Sequence, residues 1–363
     1  MTDAGKTRTS VLPSSAYAEV LYGCNIRCSY CYIGEGLNHT NRTIPSADAW
    51  AQAFGVAYSL GVDEIIFLGG EPLMHPQLEA VLAAVDRVGF RSRGIVTNGT
   101  SLTVEKVRVL KQYGFWVDIT LRASNETTWA TITGSRSSWK HLERGTALLA
   151  SSEIPVAIEF DCTPQNFREL YDTAAWVVRQ GLQARHFQLH RILPMGDAEA
   201  NYPINSLSPR QWNEVFDQAN KIEGDFGIEV LAEDGLPFCL IDPSHWHRML
   251  SCACGHSLVT ISPDFSLRRC ACDQAAVASL FDSPTDIQNA LQIATAGKLP
   301  DPCVRCPAVE VCRGGCTASI AGSNGQRPDY YVDSFLPVSQ ATWQKYGLSL
   351  KSRRITGQQT SDI

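Results

Sequence analysis

Between about residues 16 and 231, short β-branched or apolar runs alternate with longer amphipathic segments. That alternation calls for repeated βα units around a parallel sheet. Six strands are expected, at Tyr17–Tyr22, Glu64–Leu68, Gly94–Thr97, Trp116–Leu121, Val156–Asp161 and His186–His190. Helices are expected near Ser46–Leu60, Gln77–Val88, Thr103–Tyr113, Ser138–Ala150, Asn166–Gln180 and Ser208–Lys221. Ser46, Thr103 and Ser208 stand where N-caps belong, and Gly61, Gly89, Gly114 and Gly181 where helices should stop. Six units are too few to close an eight-stranded barrel, so the expected fold is α/β: an open, partial (β/α)6 TIM-like barrel. Its active site would lie at the C-terminal ends of the strands.

Past Leu231 the text changes: Cys, Pro and Gly rise and periodicity fades. The expected organisation is a tail over 1–15, a barrel over 16–231, a small Cys-rich domain over 232–351 and a polar tail over 352–363. A chain of 363 residues has room for one such barrel and one satellite. With 31 basic and 37 acidic residues, it offers no generic field for nucleic acid or anionic membrane. No apolar run approaches the roughly 18 residues that span a bilayer, and MTDAGKTRTSVLPSS lacks the order of a secretory signal. The expectation is a cytoplasmic protein in a reducing compartment.

There, 13 cysteines, three of them within Cys24–Cys31 and eight between Cys252 and Cys316, read as metal ligands rather than disulfides. Cys24-Asn-Ile-Arg-Cys28-Ser-Tyr-Cys31 puts three thiols on one loop after the first strand, enough for a cubane with one open iron. A structural zinc site wants a fourth ligand, and only His39 follows closely. The spacing CxxxCxφC, with Tyr30 as φ, resembles the radical S-adenosylmethionine superfamily. That resemblance implies that the open iron chelates the methionine moiety of S-adenosylmethionine. It also implies reductive cleavage to a 5′-deoxyadenosyl radical that abstracts a substrate hydrogen. Gly69-Gly70-Glu71-Pro72, after the second strand, is similar to the family's GGEP motif: glycines allow close approach, and the carboxylate is expected to face the cofactor's ammonium group. Asn98, in Thr97-Asn98-Gly99-Thr100, and Thr120 and Arg122, ending the fourth strand, are the further cofactor contacts implied. Gln188, His190 and Arg191 could face the barrel interior.

Cys303-Val-Arg-Cys306-Pro-Ala-Val-Glu-Val-Cys312-Arg-Gly-Gly-Cys316 resembles the auxiliary-cluster SPASM domain of a subfamily, and Ile261–Cys270 resembles the stretch upstream of it. By that resemblance Cys254, Cys270 and Cys316, with Cys252 or Cys239, would ligate one auxiliary [4Fe-4S] cluster, and Cys303, Cys306 and Cys312 a second. The family's last ligand follows the run, and no Cys follows Cys316 here. Asp329 or Asp333 could substitute, Cys272 could cross over, or an iron could stay open. Two zinc ribbons are the alternative that CxxC spacings also suit. Cys162 reads as a buried small hydrophobe, and His245-Trp-His247 as a packing element.

The function expected is redox tailoring begun by hydrogen abstraction, with auxiliary clusters for electron transfer or substrate binding. A reductase such as a flavodoxin or ferredoxin would supply electrons. Peptide maturases of this family often carry a leader-binding domain, and only 23 residues precede Cys24; this lowers the expectation of a cross-link, thioether or epimerisation in a ribosomal peptide. Anaerobic sulfatase-maturating enzymes share an Asp directly after the Cys matched by Cys270, where this chain has Ala271, with Asp273 two residues on. A small specialised metabolite, such as a sugar, nucleoside or amino acid derivative, is therefore the expected substrate. A non-catalytic iron–sulfur or zinc module, which would not need GGEP or a barrel, is the reading from a different class.

Overall fold

A computed structural model describes residues 8–34, 44–273, 275–296, 299, 301–316, 318–319, 337–347 and 350. Strands β1 (Ser15–Leu21), β2 (Glu64–Gly69), β3 (Ser92–Thr97), β4 (Trp116–Leu121), β5 (Val156–Cys162), β6 (Ala184–Arg191) and β7 (Glu229–Ala232) run parallel in chain order. Between them lie α1 (Ala47–Ser59), α2 (Leu78–Val88), α3 (Val104–Gln112), α4 (Glu126–Thr133), α5 (Ser138–Ala150), α6 (Leu170–Arg179), α7 (Asp197–Asn205) and α8 (Pro209–Phe226). On the other side of β1 the sheet continues through β8 (Leu258–Ile261, parallel), β9 (Ser266–Arg268) and β10 (Ala278–Ser279), the last two antiparallel. The order β10-β9-β8-β1-β2-β3-β4-β5-β6-β7 leaves two unjoined edges, so the barrel is open. Among the described residues no helix is long and apolar enough to cross a membrane.

Local sequence explains the elements. The side chains of Ser46 and Thr103 accept from the amides of Ala49 and Lys106, and Ser208 forms a capping box with Gln211. Gly89 ends α2 in the left-handed conformation that only glycine adopts without cost. The six expected strands and six helices all form, most within a residue or two of the expected ends. β7 goes beyond them: four residues directly after α8 are too short to show alternation. α4 does too, because Glu-Thr-Thr-Trp-Ala-Thr-Ile-Thr has poor helix propensity. Asn125, which caps two amides, and Gly134, which stops the helix, override that propensity, with Trp129 and Ile132 buried on one face.

One buried ion pair joins the C-terminal hairpin to the barrel. Glu19 on β1, fully buried, pairs with Arg268 on β9 and accepts from the hydroxyls of Tyr22 and Tyr32 at 3.0 Å each. Arg268 also donates to Ser262 Oγ at 2.9 Å and to the Ala271 carbonyl at 3.0 Å, so it braces the Cys270–Cys272 turn. Removing one partner strands the other charge, which costs about 3–5 kcal/mol. Arg268→Met is therefore expected to lower the denaturation midpoint sharply, and Glu19→Leu/Arg268→Met to recover much of the loss. Equal loss in single and double variants would show that the pair is not the fastening.

Candidate active site

A cavity of about 280 Å3 lies inside the sheet. Tyr17, Val96, Thr120, Glu159 and Gln188, from five different strands, line it, so the sheet curves around it as the barrel reading requires. Cys24, Cys28 and Cys31 border one side; Cys252, Cys254, Cys270, Cys272 and Cys316 border another.

The first cysteine loop is held from two directions. The amides of Arg27 and Ser29 donate to the Thr133 and Ile132 carbonyls at the end of α4, at 2.9 and 3.1 Å. Asn25 Nδ2 donates to Thr100 Oγ1 at 2.7 Å, and Asn98 Nδ2 lies 3.7 Å from the Cys24 sulfur. Burial raises the pKa of all three thiols, Cys28 to about 12, so metal loading must displace their protons. Three thiols on one loop, with the cavity opening onto them, fit a cubane with one iron facing inward.

Gly69 and Gly70 also line the cavity, where the backbone passes within reach of the loop. A Cβ on Gly70 would sit 2.1 Å from the Gly23 carbonyl oxygen, and one on Gly69 2.2 Å from that of Leu21. Glu71 and Pro72 are buried and do not line the cavity. The Glu71 carboxylate, expected to face the cofactor's ammonium group, is turned to the Thr97–Asn98 turn and the Leu73 amide. Glu71 Oε1 accepts from Thr97 Oγ1 at 2.7 Å and the Leu73 amide at 3.1 Å, and Oε2 accepts from the Asn98 amide at 2.9 Å. Burial raises its pKa and these hydrogen bonds oppose the rise. Glu71 thus positions the Thr97–Asn98 turn.

Tyr30, Asn98, Thr120 and Arg122 all line the cavity. Tyr30 donates to Asp161 Oδ2 at 2.9 Å and Thr120 to Glu159 Oε2 at 2.9 Å. Arg122 donates to the Thr120 carbonyl at 3.0 Å and lies 3.5 Å from Asp161. Burial disfavours its charge, but Cys28, Tyr30, Asp161 and Glu159 hold it cationic. Gln188, His190 and Arg191 reach the cavity as well. His190 lies 3.1 Å from Asp234 and 3.7 Å from Glu159; burial lowers its pKa, and those carboxylates raise it well above the usual value. Sequence reasoning missed Asp118, Glu159, Asp161, Glu233 and Asp234. Their signal was available: Asp118, Thr120 and Arg122, and likewise Glu159 and Asp161, are polar residues at period two, on strands or directly after them.

The C-terminal thiols fall into two sets. Cys254 hydrogen-bonds to Cys252 and Cys270, and Cys316 to Cys252. Cys239, Cys303, Cys306 and Cys312 line a separate small gap. Cys239 therefore sits with the second set, which leaves Cys252, of the two alternatives, beside Cys254, Cys270 and Cys316, and Cys272 stays by Cys270 at the main cavity. Among the described residues no three His, Cys, Asp or Glu side chains converge tightly enough for a single metal ion. Cys162 is buried in the hydrophobic core, and Trp246, between His245 and His247, packs there too. His39, Asp329 and Asp333 lie outside the described residues.

Residues 19–177 match the model of the Radical SAM superfamily. The chain is 24% identical over 328 residues to AlbA, the antilisterial bacteriocin subtilosin biosynthesis protein of Bacillus subtilis (strain 168); the match covers 86% of this chain and 69% of that one. Streptococcus suis SuiB, in a crystal structure bound to precursor peptide SuiA, superposes with a TM-score of 0.69 at 14% identity, over 89% of this chain and 76% of that one. Native anSMEcpe with bound AdoMet gives 0.68 at 16% identity, over 94% and 98%. These solved structures share the fold.

Two expectations follow. Glu71→Ala leaves the Thr97 and Asn98 donors without an acceptor, and S-adenosylmethionine binding measured by calorimetry should weaken roughly tenfold, about 1.4 kcal/mol; unchanged affinity would show that this turn does not shape the cofactor side. Burial, reinforced by Asp234 and Glu159 against the pull of His190, pushes Glu233 up to about 7. The folded chain then keeps a proton that the unfolded chain loses near the ordinary carboxylate value, so stability falls as pH rises toward 7. Glu233→Gln should raise Tm by a few degrees at pH 7.5 and by little at pH 4.5.

Proposed function

We propose that this chain, a radical SAM enzyme, takes a peptide as its substrate and modifies it after hydrogen abstraction, by cross-linking, thioether formation or epimerisation. The observation that carries this reading is the company the chain keeps. Its relative AlbA serves bacteriocin biosynthesis, and its structural neighbours are seen with a precursor peptide in SuiB and with the Cp18Cys peptide in anSMEcpe. This reverses the preference for a small metabolite drawn from the sequence. That expectation rested on how few residues precede Cys24 and on Ala271 after Cys270, neither of which says how a peptide enters the cavity.

Within this reading Cys24, Cys28 and Cys31 would hold the [4Fe-4S] cluster that binds S-adenosylmethionine. Tyr30, Gly69, Gly70, Asn98, Thr120 and Arg122 would line the cofactor side, while Glu71 and Pro72 set the backbone behind it. Reductive cleavage of the bound cofactor supplies the hydrogen-abstracting radical, and the enclosing barrel keeps water from it. The buried cations Arg122 and His190 and the carboxylates around them offer both donors and acceptors to a peptide's amide groups. The two C-terminal thiol sets would hold auxiliary [4Fe-4S] clusters that take up electrons from the oxidised substrate. A flavodoxin or ferredoxin would reduce the first cluster. Residues 16–231 thus form the activating part and 232–351 the auxiliary part, although one sheet runs through both.

A sugar, nucleoside or amino acid derivative is the second reading, which a cavity of about 280 Å3, lined in part by polar side chains, also suits. Co-expression with each short peptide encoded beside its gene, followed by mass spectrometry of the peptide, separates the two. A mass change that Cys28→Ala abolishes supports peptide maturation. Unmodified peptides, together with methionine and 5′-deoxyadenosine release stimulated only by small metabolites, would sink it.

A further inference from the structure

Residues 317–363 contain no cysteine, yet the gap beside the run Cys303–Cys316 is bordered by four thiols. Cys239 lines that gap with Cys303, Cys306 and Cys312. The thiols that act most on Cys239 are, in order, those of Cys312, Cys303 and Cys306, and none comes from the Cys252, Cys254, Cys270 and Cys316 set.

The backbone fixes this neighbourhood. Cys239 sits in a short 3-10 turn, Phe238–Leu240, and the Phe238 amide donates to the Cys312 sulfur. The indole of Trp246, almost fully buried, donates to the Phe238 and Ile241 carbonyls at 3.0 and 3.1 Å, clamping the turn from both ends. On the other wall the Cys306 amide donates to the Cys303 carbonyl at 3.0 Å and the Cys312 amide to that of Ala308 at 2.8 Å, which folds three cysteines into consecutive tight turns. Amides of Gly314 and Gly315 also aim at the Cys312 sulfur, as donors to a thiolate ligand do. Cys272, the rival thiol, neighbours Cys270, Asp234, Arg268 and Glu19 at the main cavity.

We propose that Cys239 is the fourth ligand of the cluster held by Cys303, Cys306 and Cys312, a ligand supplied from upstream of the run instead of after it. The inference rests on the reading that the C-terminal region binds auxiliary clusters. It makes that cluster coordinatively closed: four thiolates leave no iron for a substrate atom, so the cluster can carry electrons and cannot bind substrate. With Cys252, Cys254, Cys270 and Cys316 forming the other set of four, the three-thiol site of Cys24, Cys28 and Cys31 alone keeps an open iron.

The test starts from a full-length parent in which Cys24, Cys28 and Cys31 are all Ala, reconstituted anaerobically, which should hold about eight irons. Adding Cys239→Ala should remove between one and about four of them and alter the low-temperature paramagnetic spectrum. Adding Cys272→Ala, Asp329→Ala or Asp333→Ala should leave both unchanged. Eight irons and an unaltered spectrum in Cys239→Ala would overturn the assignment, as would iron loss in Asp329→Ala or Asp333→Ala. A parent holding zinc or no iron would overturn the auxiliary-cluster reading itself and the assignment with it. Should Cys239→Ala fail to fold, thiol footprinting of the unaltered holoprotein decides: iodoacetamide should label Cys239 only once oxidative chelation also exposes Cys303, Cys306 and Cys312. Labelling of Cys239 in the iron-loaded protein would refute its ligand role.

Discussion

The buried pair of Glu19 and Arg268 is the joint on which the architecture turns. A carboxylate on the first barrel strand with no exposed surface is tolerable only because a guanidinium and two tyrosine hydroxyls meet it. The same guanidinium reaches the carbonyl of Ala271, between Cys270 and Cys272. One interaction therefore sets the distance between the barrel interior and the second bank of thiols. Hydrophobic packing of the hairpin alone, being non-directional, would not fix the turn to a hydrogen bond's precision.

The cavity between these banks is unusually charged for a barrel interior. Asp118, Glu159, Asp161, Glu233 and Asp234 crowd around Arg122 and His190. Arg122 and His190 offset only part of the repulsion among these five carboxylates, and burial together with neighbouring carboxylates raises the pKa of Asp118, Glu159 and Glu233. Asp118 Oδ1 and His190 Nε2 have no hydrogen-bond partner among the described residues. Buried polar atoms of this kind are costly in an isolated fold and are natural where a bound molecule completes the network.

Much of this was legible before any coordinates. Period-two runs bounded by Ser, Thr and Gly signals located six strands and six helices, because capping and hydrophobic alternation are local properties. β7 and α4 were not legible: one is too short to have a period, and the other is a poor helix held by its two ends and by Trp129 packing. At the site, cysteine spacing and the Gly-Gly-Glu-Pro stretch identified the chemistry. The direction of the Glu71 side chain and the partners of Cys239 are tertiary facts, fixed by the Thr97–Asn98 turn and by Trp246, which lie 26 residues away for Thr97 and 8 for the Phe238 carbonyl beside Cys239. The carboxylates of the lumen were visible as polar interruptions in apolar strands, but only the closing of the sheet shows that they face one another.

The order in which the chain visits its two C-terminal thiol sets has a topological meaning. Cys239 belongs to one set, Cys252, Cys254 and Cys270 to the other; Cys303, Cys306 and Cys312 return to the first, and Cys316 to the second. Cross-links within these two sets would alternate along the chain and would not nest. Were each set to hold a cluster, the stretch from Cys239 to Cys303 bridged by one would contain three ligands of the other, so the two closed loops would overlap along the chain. Loop-closure entropy would then favour the second cross-link once the first had formed.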